Sequence, residues 1–181
     1  MKENNWFDPF HLQSQLSEDE SRIQLNVREF CNKELRPSVV EMNRKHHFNI
    51  DLYPKFGSLG VLGQTIKSHG GSGTSNLAYG LVAYEFEKID SSYRSSISVQ
   101  SSLVIHPINE FGSNDQKDKY LPDLIKGKKI GCFGLTESEA GSDPSSMRTT
   151  FKKTKDGYIL NGSKNWITNA PIADVFIIWA L

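Results

Sequence analysis

Two short strings hold most of the residues able to do chemistry. The first, Gly131-Cys132-Phe133-Gly134-Leu135-Thr136-Glu137-Ser138-Glu139-Ala140-Gly141-Ser142-Asp143-Pro144, reads as a strand emptying into a small, polar, glycine-containing loop. Such a loop presents backbone N–H groups and short hydroxyls to a planar or anionic ligand. An ordinary strand-to-loop transition has the same composition, and composition alone leaves both readings open. The second string, Gly162-Ser163-Lys164-Asn165-Trp166-Ile167-Thr168-Asn169-Ala170, carries an indole that could face a ligand or fill a β-sheet core. Glu137 and Glu139 are the tempting bases, being carboxylates beside the first string. Arg94 has two readings too: a solvated arginine at a helix start, or a planar, paired donor for a buried carboxylate.

The elements that must position these residues change character along the chain. Up to about Gly127 the apolar residues recur at helical spacing. Ser17-Glu18-Asp19-Glu20 reads as a capping box opening a helix with Ile23, Val27, Phe30 and Cys31 on one face, and Pro37 interrupts or restarts it. A short helix over Leu52–Leu59 ends near Gly60. The spacing predicts a third helix through Leu77, Leu81, Val82, Phe86 and Ile89, ending near Asp90. A fourth runs from Ser96 to Phe111, presents Val99, Leu103, Val104 and Ile108, and takes Gly112 as its C-cap. Ser113-Asn114-Asp115-Gln116 caps a last, short helix through Tyr120 that stops before Pro122.

Beyond Gly127 the pattern is strand-like. Strands are expected over Ile130–Leu135 and Met147–Lys155, with Asp156-Gly157 as a hairpin turn. Tyr158–Leu160 and Lys164–Thr168 read as strands around Asn161-Gly162, and Val175–Leu181, apolar on both faces, as a central strand. Helices followed by strands indicate an α+β arrangement, with a helical part over 1–128 and a partial, barrel-like β part over 129–181.

Composition sets outer limits. Apolar residues at 37% and charged residues at 23% fit a globular chain, and 21 basic against 21 acidic side chains form no stripe that would hold nucleic acid. The loop His69-Gly70-Gly71-Ser72-Gly73-Thr74 lacks the lysine of a phosphate-binding loop and the strand that should precede a dinucleotide fingerprint, so it reads as a connection. Cys31 and Cys132 lie apart among apolar neighbours, which predicts free buried thiols and no metal site. No apolar run is long enough to span a bilayer, and Met1-Lys2-Glu3-Asn4-Asn5 resembles neither a secretory signal nor a transit peptide, so the cytoplasm is expected. The closing Phe176-Ile177-Ile178-Trp179-Ala180-Leu181 leads us to expect that the fold continues, because an uncovered apolar strand is an aggregation hazard.

The first string resembles the flavin-flanking signature of the acyl-CoA dehydrogenase family, and the second matches that family's other flavin contact at the expected distance. Similarity runs from about Phe7 to the last residue. The resemblance implies a helical amino-terminal domain and the start of a middle antiparallel β domain, with the family's carboxy-terminal helical bundle absent. It implies FAD as cofactor, with Phe133, Leu135, Thr136, Ser142, Trp166, Ile167 and Thr168 lining it and Ser142 also reaching the acyl-CoA. Ser138 stands where many relatives have proline.

Asp90 to Ser102 is similar to the glutaryl-CoA-specific members, in which Arg94, with Ser95 beside it, would bind the substrate's terminal carboxylate. The resemblance then implies oxidative decarboxylation of glutaryl-CoA to crotonyl-CoA, a step of lysine and tryptophan degradation. In the family a glutamate removes the α-proton while hydride passes to the flavin; that base would lie beyond Leu181, so neither Glu137 nor Glu139 is taken as catalytic. It further implies an electron-transfer flavoprotein as acceptor, a homotetramer, and the mitochondrial matrix if the source is a eukaryote. Two other readings stay in view: a short-chain acyl-CoA dehydrogenase or oxidase in which Arg94 binds nothing, and a non-catalytic domain that binds acyl-CoA or a partner.

Overall fold

Leu52, Tyr53 and Phe56 are buried almost completely, and so are Val27, Val82 and Phe86, but the two sets serve different cores. The computed structural model describes residues 8–181; Met1–Asn5 and Phe7 lie outside the described residues. One unit comprises the described residues up to Asn49 together with Thr74–Arg94, the other Ile50–Gly73 with Ser95–Leu181.

The first unit is built on α1 (Glu18–Phe30), α2 (Val39–Arg44) and α4 (Asn76–Glu87), with α3 (Leu52–Leu59) falling in the second. Both halves of the expected capping box are present: the Ser17 side chain accepts from the Glu20 N–H, and the Ser17 N–H donates back to the Glu20 carboxylate. After Phe30 the helix widens into a π turn over Cys31–Leu35, and Pro37 separates it from α2. α4 packs on α1 through Ala78, Val82 and Phe86, with the Phe30 and Phe86 rings 6.4 Å apart. Leu77 is a correction to the expected stripe, being half exposed, while Glu85 takes a buried place on that face. Its carboxylate receives the Gln24 amide at 2.9 Å and two bonds from Arg28 at 2.9 and 3.2 Å. Burial pushes the Glu85 carboxyl up, and Arg28, Lys88 and Gln24 together outweigh it, leaving it below the ordinary carboxylate value. Cys31 is buried nearby, and burial pushes its thiol up to about 12.

One helical run leads from the first unit into the second: α5 (Ser91–Ser98), a π segment over Val99–Ile105, and α6 (His106–Phe111). It starts earlier than the sequence indicates, because Asp90 bonds the Ser92 N–H as a cap would. Gly112 follows, but its backbone is extended (φ −70°, ψ 150°) and not left-handed. What it avoids is a clash: a Cβ there would lie 2.5 Å from the Ile108 carbonyl oxygen. α7 (Asn114–Ile125) opens with the second capping box and, against expectation, runs through Pro122. The carbonyl Pro122 cannot serve belongs to exposed Asp118, while Leu121, Leu124 and Ile125 are buried and carry the helix on.

Four strands follow: β1 (Gly131–Gly134), β2 (Thr150–Thr154), β3 (Gly157–Asn161) and β4 (Val175–Ile178). Helices precede strands as expected. β2 and β3 form the predicted antiparallel hairpin, whereas β1 and β4 run parallel, joined by a long crossover that includes the hairpin, the loop of the first chemical string and all of the second. Two strand readings are corrected. Lys164–Thr168 is not a strand, since Trp166 is left-handed (φ 59°) and the Asn165 N–H bonds the Thr136 carbonyl instead of a ladder. β4 is not central among the described residues: it pairs with β1 alone, and Phe176 is 53% exposed. Its continuation still finds partners, because Leu181 exchanges backbone bonds with Thr149 and Phe151.

β1 is seated on the π segment. Gly131 lies so close to Val104 that a Cβ would meet its side chain at 2.4 Å. Fully buried Gln100 accepts the Gly131 N–H at 2.8 Å and donates to the carbonyls of Leu124 and Lys129. One side-chain amide thus satisfies three backbone groups where helix, turn and strand meet.

Candidate functional site

Beyond the end of β1, a hub centred on Glu137 ties the loop to the residues that lead into β2 and to the second string. The Glu137 carboxylate accepts from the Arg148 N–H (2.6 Å), the Thr149 N–H (3.0 Å), the Thr149 hydroxyl and the Lys164 ammonium (2.7 Å). Both Glu137 and Lys164 are only 8% exposed. Lys164 and then Thr149 and the Arg148 N–H draw the Glu137 carboxyl down to about 2. A carboxylate held by this many donors is a poor proton acceptor. Glu139 is exposed and does not line the cavity described next.

The same lysine ties the two strings together. Lys164 Nζ also donates to the Leu135 carbonyl at 2.9 Å, and the Asn165 N–H to the Thr136 carbonyl at 2.9 Å. Between them opens a cavity of about 270 Å³ lined by Val99, Leu103, Phe133, Leu135, Thr136, Trp166, Ile167 and Thr168. Two hydroxyls and an otherwise apolar wall suit a flat heterocycle with a polar edge.

Phe133, Leu135, Thr136, Trp166, Ile167 and Thr168 are thereby brought together, and Trp166, at 93% exposure, is no core aromatic. Ser142 does not join them; it sits on the exposed loop that leads to Pro144. Arg94 lies in the first turn of α5, with its Nε–H donating to Glu87 at 2.7 Å, and belongs to the first unit, whereas Ser95 belongs to the second. Both Arg94 and Glu87 are more than a third exposed, so this pair contributes little to stability. Val99 and Leu103 were legible only as an apolar helical pair. Their i, i+4 spacing gave no sign that the π segment turns them towards a cavity instead of the core.

A larger groove of about 770 Å³ runs beside β4 and includes Phe111, Tyr120, Phe176 and Trp179. It is mainly apolar and touches neither chemical string, so size alone does not make it the site of chemistry. Among the described residues no group of histidine, cysteine, aspartate or glutamate side chains could hold a metal ion, and no helix is long and apolar enough to cross a membrane.

The profile for the acyl-CoA dehydrogenase N-terminal domain matches residues 17–128, and that for the acyl-CoA dehydrogenase middle domain matches 132–181. The chain belongs to the acyl-CoA dehydrogenase family. It is 36% identical over 167 residues to an acyl-CoA dehydrogenase of Bacillus subtilis, covering 92% of this chain and 44% of that protein. It is 39% identical over 168 residues to the mitochondrial isovaleryl-CoA dehydrogenase of Pongo abelii, covering 91% and 40%. Among solved structures, a glutaryl-CoA dehydrogenase from Mycobacterium smegmatis in complex with FADH2 superposes with a TM-score of 0.93 at 43% identity, covering 94% of this chain and 44% of that one. The chain thus holds the family's helical amino-terminal region and the start of its β middle domain, and spans less than half the length of these relatives.

Proposed function

We propose that this chain supplies part of the flavin and acyl-CoA envelope of a glutaryl-CoA dehydrogenase, with the helical part ending at 128 and the β part beginning at 129. One observation carries the reading. Of the residues expected to contact the flavin, all but Ser142 line a single cavity of the right chemistry. FAD fits there through its ring: Trp166, Phe133 and Leu135 would meet its faces, and the Thr136 and Thr168 hydroxyls its polar edges. When bound, FAD supplies the hydride acceptor for oxidation of the acyl thioester. The residues of this chain bind the ring, orient it and keep water from it. No carboxylate lines the cavity among the described residues; by the family resemblance the base that takes the α-proton would come from another part of the protein. Ser142, on its open loop, would reach the acyl-CoA.

Arg94 supports the choice of glutaryl-CoA. A plain acyl chain has no use for a cation, whereas the buried end of a dicarboxylic acyl group needs a planar partner with paired donors. On binding, that carboxylate would replace Glu87 at the guanidinium, with Ser95 beside it. The family relationship also supports an electron-transfer flavoprotein as electron acceptor, a homotetrameric assembly, and the cytoplasm or, in a eukaryote, the mitochondrial matrix.

The test is binding of glutaryl-CoA and butyryl-CoA to flavin-loaded protein, read from the shift of the visible flavin band. Arg94→Ala should weaken glutaryl-CoA by about 10- to 100-fold, the scale of a charge-assisted hydrogen bond, and leave butyryl-CoA nearly unchanged. Equal losses for both thioesters would refute the carboxylate role and favour a short-chain acyl-CoA dehydrogenase.

A further inference from the structure

The segment that carries Trp166 and Thr168 has no ladder to hold it. Trp166 stands at φ 59°, a region disfavoured for any residue with a Cβ, and its indole is 93% exposed, so burial does not offset the strain. Something at each end must fix the segment. At its amino end the bonds from Lys164 to Leu135 and Glu137, and from Asn165 to Thr136, do so. At its carboxyl end stands Asn169, itself left-handed at φ 69°.

The Asn169 Nδ2 donates to the Gly131 carbonyl at 3.1 Å. Gly131 is the first residue of β1, and its own N–H is held at 2.8 Å by fully buried Gln100. Tyr53 is buried beside Ser96 and Asn169, and burial pushes its phenol up to about 12, with those two side chains acting against the shift. The Asn169 carbonyl accepts the Ile172 N–H at 2.9 Å, and the Ile167 carbonyl the Ala170 N–H at 3.2 Å, which closes the turn. Asn169 does not itself line the cavity.

We propose that Asn169 is a positioning residue for the flavin wall: its carboxamide fastens the segment to the start of β1, holding Trp166 left-handed and Thr168 towards the cavity. This rests on the flavin reading above. Backbone freedom alone does not replace it, because the donor to Gly131 is what fixes the segment. Aspartate does not replace it either, since it sets a carboxylate oxygen against that carbonyl.

Two readouts test this in the 181-residue chain. Without flavin, the ¹³Cα and ¹³Cβ shifts of Trp166 report its backbone region. With FAD, fluorescence titration gives the affinity. In Asn169→Ala and Asn169→Gly the left-handed signature of Trp166 should collapse to an average, and FAD should bind about 10-fold more weakly, the scale on which outer-shell partners act at other sites. Unchanged Trp166 shifts in both variants would overturn the proposal. Changed shifts with unchanged FAD affinity would overturn its flavin part. If Asn169→Ala does not fold, Asn169→Asp keeps the size and carries the same comparison. If the parent chain binds no FAD, the flavin reading fails, and the Trp166 shifts still decide what Asn169 does to the segment.

Discussion

At the scale of single residues, Glu137 shows how a site is held without taking part in it. Its folded carboxyl lies at about 2, below the ordinary value near 4.5, so the folded state favours the ionised form. The resulting stability is fully present above about pH 4.5 and is lost as pH falls towards 2. Melting curves of the parent and of Glu137→Gln should therefore differ most at neutral pH, with the parent more stable, and converge as the medium is acidified through that window. A gap that stayed constant down to pH 2 would contradict the assignment. The strings containing Glu137 and Trp166 were legible through their resemblance to the acyl-CoA dehydrogenase signature, since composition alone left an ordinary strand-to-loop transition and a core aromatic equally open. Trp166 as a left-handed, exposed residue could not. Its conformation depends on Lys164 bonding to Leu135 and Asn169 to Gly131, both far off in sequence. Glu85 was missed for a related reason: a charged residue reads as exposed until Arg28 and Gln24 are known to meet it.

Among elements, those whose ends are set locally were the most legible. Ser17 and Ser113 each carry a complete capping box within four residues, and the helices begin there. Ends set by distant packing were not: α7 passes Pro122, and the run from Ser91 to Phe111 hides a π segment that turns Val99 and Leu103 to the cavity. Gly127, where the sequence pattern changes, marks the passage from α7 to β1. It is left-handed (φ 66°), and a Cβ there would lie 2.0 Å from the Tyr53 carbonyl oxygen. Gly127→Ala should lower stability by about 1–2 kcal/mol from backbone conformation alone, and by more from the clash. Urea unfolding measures this directly, and an unchanged midpoint would show that the α7–β1 turn can rearrange at no cost.

For the molecule as a whole, the α-then-β order was readable because helical and strand periodicity occupy separate stretches of the sequence. The parallel β1–β4 pairing was not, because nothing local marks two strands more than forty residues apart as neighbours. The profile matches and the fold similarity establish the family, while the chain covers 44% of the glutaryl-CoA dehydrogenase it superposes on. Function is therefore proposed from a site, and the site is what should be tested first. In ¹H–¹⁵N spectra of the chain titrated with FAD, saturable shifts should concentrate at Leu103, Phe133, Leu135, Thr136, Trp166, Ile167 and Thr168. Shifts centred instead on Phe111, Tyr120, Phe176 and Trp179, or no saturable shift in a folded chain, would contradict the assignment of the cavity to the flavin.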